Sequence, residues 1–199
     1  MTSLEAALRR IDQDLAQARH PFALIGGLAV SARTEPRFTR DADLAVAVGS
    51  DAEAEALVLR LRTRGYRIAS VLEQESVGRL ATVRLAPLPT PRATVIDLLF
   101  ASSGIEPEVV AEAETLELLP HLPMRVATVG HLIALKVLSR DDEKRPQDLV
   151  DLRALLRVAS DADLGQARHA TAAITARGYH RGRDLMGALN GLIPSTGWS

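Results

Sequence analysis

Two aspartates one residue apart, Asp41 and Asp43, open the stretch DADLAVAV, and a third, Asp97, stands inside the apolar run TVIDLLF. On a strand, side chains alternate faces, so Asp41 and Asp43 share one face while Ala42 and Leu44 take the other. Side-by-side carboxylates repel at the lip of a cleft unless a cation lies between them, and Mg²⁺ prefers such oxygen ligands, often together with substrate phosphates. A surface pair neutralised by Arg37 or Arg40 is the alternative reading. Asp97 raises the stakes, because a charge buried among Val95, Ile96, Leu98 and Leu99 is costly unless it is paired with an arginine or binds a cation.

Upstream, Phe22–Ile25 is a short apolar run broken by Gly26-Gly27 before the small residues Leu28–Ala32. This reads as a strand entering a helix through glycine, which leaves backbone N–H groups and the positive end of a helix dipole facing an anion such as phosphate. The three-glycine dinucleotide fingerprint fails, since Leu24 and Leu28 occupy its other glycine positions, and no Gly-Lys-Ser/Thr follows the turn. If the Asp97 strand lies beside that of Asp41 and Asp43, three acids face a phosphate cradle. That arrangement describes two-metal phosphoryl chemistry. Arg37, Thr39 and Arg40 precede the acids and are candidates for phosphate contact or for plain loop solvation.

The elements that must position these groups follow from periodicity. Leu4–Ala18 has the spacing of an amphipathic packing helix, Ala42–Val48 is a strand, and Asp51–Arg64 is a helix stopped by Gly65. Tyr66–Leu72 and Leu80–Leu85 are strands, the second alternating Leu80, Thr82 and Arg84 against Ala81, Val83 and Leu85. Prolines 87, 89 and 91 form a loop, and a buried strand spans 93–101. A helix near 105–113 follows, then extended pieces at 116–119 and 124–126 broken by Pro120 and Pro123. From Thr128 onward only helices are expected: 129–139, 146–158, 161–177 and about 183–192. An α/β half, residues 1–127, thus precedes a helical region, 128–199.

Composition narrows the setting. A chain of 199 residues with formal charge -1 has no global attraction for nucleic acid, so such a partner would need a local patch. Cysteine is absent, which excludes disulfides and thiolate metal sites. With no apolar run near the roughly 20 residues that span a bilayer, and no signal-peptide core at the N-terminus, the expectation is a cytoplasmic protein without a membrane partner. Only Lys136 and Lys144 interrupt an otherwise all-arginine basic set. Lys136 lies among Leu132, Ile133, Leu135, Val137 and Leu138, so its stem is expected to be buried with its ammonium in a polar cleft or paired with Asp148 or Asp151. His131 reads as a cap or core-edge residue. The run Arg177, Tyr179, His180, Arg181, Arg183 reads as an interhelix turn or an RNA backbone contact.

Taken together, Gly26-Gly27, Asp41, Asp43 and Asp97 resemble, in order and spacing, the nucleotidyltransferase superfamily related to DNA polymerase beta. Within it, GGLAVSA, PRFTRDADL, LIALKVL and RPQDLVDL look like the AbiEii-type nucleotidyltransferases found as toxins of toxin-antitoxin systems, over roughly residues 20 to 155. The resemblance implies a nucleotidyltransferase-fold mixed α/β (α+β) sheet with flanking helices and a helical C-terminal half. It also implies NTP as donor, two Mg²⁺ ions held by Asp41, Asp43 and Asp97, and a cognate antitoxin as partner. Lys136 and Asp148 match the family's lysine and acid that bind the triphosphate or complete the site, with Asp151 the second choice for the acid. A tRNA 3′ end is the acceptor the toxin branch implies; protein hydroxyls and small molecules such as aminoglycosides serve elsewhere in the superfamily. A non-catalytic, antitoxin-like binding module of the same fold is the alternative. Gly27 departs from the serine that many superfamily members carry and offers no hydroxyl to a phosphate.

Overall fold

The computed structural model describes residues 3–37, 39, 41–74, 77–87 and 94–193. Seven strands form one mixed sheet in the order β3-β4-β5-β2-β1-β7-β6. They are β1 (Phe22–Ile25), β2 (Ala42–Val46), β3 (Tyr66–Gln74), β4 (Arg79–Pro87), β5 (Ile96–Leu99), β6 (Glu114–Leu119) and β7 (Leu122–Val126). The helices are α1 (Ser3–Ala18), α2 (Gly26–Arg33), α3 (Asp51–Thr63), α4 (Glu106–Ala111), α5 (Val129–Ser139), α6 (Pro146–Val158), α7 (Asp161–Ala176) and α8 (Leu185–Asn190). The expected order of an α/β half and then helices alone is the observed one.

Alternation decides which residues face the core. Ala42, Leu44 and Val46 on β2, Val83 and Leu85 on β4, and Ile96 and Leu98 on β5 are all buried. They join Leu8, Ile11, Leu15, Leu57 and Leu61 of α1 and α3 in the hydrophobic cluster. The residues between them turn to the other face, where α2, α5 and α6 pack against one another. Helix α3 has the expected N-cap, with the Ser50 side chain accepting from the Glu53 N–H, and Thr128 does the same for α5 by accepting from the His131 N–H.

Three expectations shift. Helix α2 begins at Gly26 itself, so the two glycines form its first turn and are not a separate loop. The buried strand is shorter than expected, Ile96–Leu99, with residues 88–93 outside the described set. Pro123 lies within β7, where it was expected to break the chain. Proline is tolerated there because β1 pairs with β7 only at Leu24↔Val126, so no ladder bond from β1 is required at Pro123.

Candidate active site

Register brings the acids together. Strand β2 pairs with β5 in parallel with Asp43 opposite Asp97, β4 pairs with β5 antiparallel with Arg84 opposite Asp97, and β1 pairs with β2 with Ile25 opposite Asp43. Arg84, Asp97, Asp43 and Ile25 therefore form one rung across four strands, ending where α2 begins. Asp41 lies two residues before Asp43, at the exposed end of β2. These side chains line a cleft of about 690 Å³ whose floor is the sheet and whose other wall is α5, the α5–α6 connection and the start of α6.

The glycine turn is fixed by contact as much as by conformation. Gly26 has φ +65°, and a Cβ there would stand 2.0 Å from Asp43 Oδ2, so the backbone of α2 and the carboxylate touch. At Gly27 a Cβ would stand 2.6 Å from Arg37 Nη2 and 3.1 Å from Thr39 Oγ1. The place where a serine side chain would project is thus taken by Arg37. Among the described residues no side chain caps α2, which leaves its first-turn N–H groups without a side-chain acceptor there. Arg40 lies outside the described residues.

The two inner acids differ in their partners. Asp97 is buried and receives two hydrogen bonds from Arg84, at 2.8 and 2.7 Å. Asp43 has no ion pair or hydrogen bond with the described residues. Burial first, and then the charge of Asp97, push its carboxyl up to about 6 from an ordinary 3.8. Asp41 adds to this rise, while Lys136 and Arg145 oppose it.

Across the cleft, Lys136 is buried with its ammonium 2.6 Å from Asp148 Oδ1 and 2.8 Å from Asp151 Oδ2. Asp151 also receives two 2.8 Å hydrogen bonds from Arg37 and one of 3.0 Å from Gln147. Asp148 further holds Arg145 at 3.0 Å and Ser139 at 3.0 Å. Burial opposes ionisation of Asp151, yet Arg37, Lys136 and Gln147 hold its carboxyl below the usual aspartate range. Three cations and two carboxylates form one network that ties the loop after α2 to α5 and α6. Asp148 and Asp151 both belong to it, and Asp151 is the one that Arg37 reaches.

The remaining candidates are distributed by packing. His131 is buried, with Nδ1 3.1 Å from Thr128 Oγ1, and burial lowers its pKa, as befits a core-edge histidine. Arg177 pairs with Glu108, Tyr179 packs against Gly104, and Arg183 donates to the Val137 and Leu138 carbonyls at the end of α5. Arg181 alone of that run lines the cleft. Arg84, Lys144 and Arg145 line the cleft without having been expected there as site residues, whereas Arg181 was named only within the basic run. For Arg84 a signal existed in its alternation with Thr82, but its partner depends on a strand register that spacing does not reveal.

Oxygen donors alone, with an uncompensated Asp43 at their centre, suit a hard divalent cation. Among the described residues no group of three or more His, Asp or Glu is arranged to hold an ion, in keeping with Asp97 spending its oxygens on Arg84. Among the described residues no helix is long and apolar enough to cross a membrane.

A family model described as "Nucleotidyl transferase AbiEii toxin, Type IV TA system" matches residues 7–197. Similar solved structures include an antigenic nucleotidyltransferase-like protein from Paracoccidioides brasiliensis, 19% identical with a TM-score of 0.55, covering 96% of this chain and 94% of that one. ANT(2")-Ia in complex with adenylyl-2"-tobramycin is 18% identical with a TM-score of 0.55, over 88% of this chain and 99% of that one. The lincosamide antibiotic adenylyltransferase LnuA, lincomycin-bound, is 12% identical with a TM-score of 0.50, over 78% and 98%. Among curated proteins none matches the sequence. At these identities the structural likeness establishes the fold.

Proposed function

We propose that this chain, which belongs to the AbiEii nucleotidyl transferase toxin family, moves a nucleoside monophosphate from an NTP to the 3′-hydroxyl of a tRNA. The observation that carries this reading is the rung in which Asp43 and Asp97 stand side by side against the glycine start of α2. The acceptor oxygen forms a bond to the α-phosphorus, the α–β bridge breaks, pyrophosphate leaves, and the hydroxyl proton passes to a base.

Asp41 and Asp43 are the residues that would hold Mg²⁺, two ions in all, with Asp97 as the third carboxylate. Bound magnesium supplies charge stabilisation to the phosphoryl oxygens and acidifies the attacking hydroxyl. The chain's own groups do the rest. The N–H groups of Gly26 and Gly27 receive phosphate oxygens at the α2 dipole. Asp97, once Arg84 releases it, is the group placed to take the acceptor proton. Lys136 and Arg37 offset the charge of the departing pyrophosphate, Thr39 offers it a hydroxyl, and Asp148 and Asp151 hold the two cations in position. The donor is an NTP and the cellular partner a cognate antitoxin. A cytoplasmic setting fits both.

The second reading, a nucleotide-binding module without turnover, draws on one observation: Asp97 and Lys136 are each already engaged in ion pairs. Incubation of wild type and Asp43→Asn with each α-labelled NTP, Mg²⁺ and total tRNA separates the two. Label on RNA from wild type alone supports transfer. Label on protein moves the acceptor to a protein hydroxyl, and NTP binding with no label anywhere establishes the binding module.

A further inference from the structure

Most cations around the cleft are spoken for. Arg37, Arg84, Lys136 and Arg145 each face a carboxylate. Lys144 and Arg181, which also line the cleft, have no carboxylate partner among the described residues, and Arg181 donates only a 3.5 Å contact to the Ser102 carbonyl. Arg181 is accessible at the cleft mouth. Partial desolvation, and then the like charges of Arg145 and Arg183, hold its guanidinium below the ordinary arginine range.

The backbone at this point is also unusual. Arg181 has φ 55° and is followed by Gly182 at φ 70°. A left-handed non-glycine residue is strained, and such strain persists where the surroundings impose it. Here Arg183, bound to the end of α5, and the start of α8 fix the turn on one side, and buried Tyr179 fixes it on the other. The turn therefore holds Arg181 at the cleft beside two like charges.

Position identifies the ligand's place. The phosphate cradle of α2 begins beside Asp43 at the end of β1, whereas Arg181 meets the Ser102 carbonyl beyond the end of β5, two strands away in the sheet order. We propose that Arg181, with Lys144 lining the same cleft, forms a phosphate-binding lip that grips the backbone of an RNA acceptor and so selects it over cationic small molecules. The proposal rests on the nucleotidyl transfer reading and adds the residue that chooses the acceptor. The same positive lip repels a polycationic acceptor.

The test uses the full chain, a fluorescein-labelled single-stranded RNA with a free 3′-hydroxyl, and a fluorescent NTP analogue, each followed by anisotropy over a salt series. Arg181→Gln should weaken RNA binding roughly fivefold to tenfold and flatten its salt slope by about one, as loss of one phosphate contact does. Binding of the NTP analogue should not change, which also certifies the fold, and Arg181→Lys should recover most of the RNA affinity. In transfer assays the KM for RNA should rise with kcat retained. Equal RNA binding by wild type and Arg181→Gln, no RNA binding by wild type, or a loss of NTP binding would each overturn the lip. Arg181-dependent RNA binding without any transfer would keep the lip and remove the transferase reading; transfer to a cationic small molecule at an unchanged rate in Arg181→Gln would do the reverse.

Discussion

Replacing Asp43 with asparagine should abolish nucleotidyl transfer and, without divalent cations, make the protein more stable. In the folded chain the Asp43 carboxyl is pushed up to about 6 from 3.8, chiefly by burial and then by Asp97. At about 1.4 kcal/mol per pH decade, that rise corresponds to about 3 kcal/mol of charging cost at neutral pH. Solvent reaching the half-buried side chain reduces this to about 1.5 kcal/mol. The folded pKa lies above the unfolded one, so the folded state binds the extra proton between them. Stability from this group is fully present below about pH 4 and is lost as pH rises through 6. The asparagine variant never carries the charge. Thermal melts in EDTA should therefore give the variant a Tm about 3–6 °C above wild type at pH 8, with the curves converging at pH 4. Added Mg²⁺ should then raise the wild-type Tm and leave the variant's nearly unchanged. A variant as stable as or less stable than wild type at pH 8, or a gap that persists at pH 4, would refute the picture of an uncompensated carboxylate.

Other substitutions probe the remaining contacts. Arg84→Ala should leave Asp97 beside Asp43 without its cation and lower stability by about 1–3 kcal/mol at pH 8, less at pH 5, as read by urea melts at the two pH values. Lys136→Met should take from Asp148 and Asp151 the buried cation they share, leaving each with one arginine, and cost about 3 kcal/mol in the same assay, an effect that the Lys136→Met/Asp148→Asn double change should partly relieve. Gly26→Ala should cost about 1–2 kcal/mol through its positive φ and, by pushing Asp43 aside, reduce transfer at least tenfold, measured by labelled-NTP incorporation.

Period-two alternation in DADLAVAV set Asp41 and Asp43 on one face, and the lone acid in TVIDLLF singled out Asp97, but their meeting was expected only on the condition that the two strands lie side by side, which the β2·β5 pairing supplies. The α/β-then-helical order was legible for a similar reason. What spacing does not encode is register between strands far apart in sequence. Arg84 was visible on the correct alternation, yet only the β4·β5 pairing puts it opposite Asp97. Asp148 and Asp151 were both expected near Lys136, but Arg37 selects Asp151 by reaching across from the other half of the chain. Pro123 was read as a breaker because a proline's missing N–H matters only where a neighbour needs it, and the short β1 contact could not be foreseen. Arg181 sat in a basic run in which Arg177 and Arg183 turned out to be structural.

The cleft draws its parts from Ile25 at one extreme to Arg181 at the other. On a ribosome, the sheet can carry Asp43 and Asp97 long before α5 and α6 have emerged. Lys136, Asp148 and Asp151 are missing until then, and Arg37 has nothing to hold it. A half-made chain thus holds only one wall of the cleft, and the second wall is added only as the last helices leave the exit tunnel.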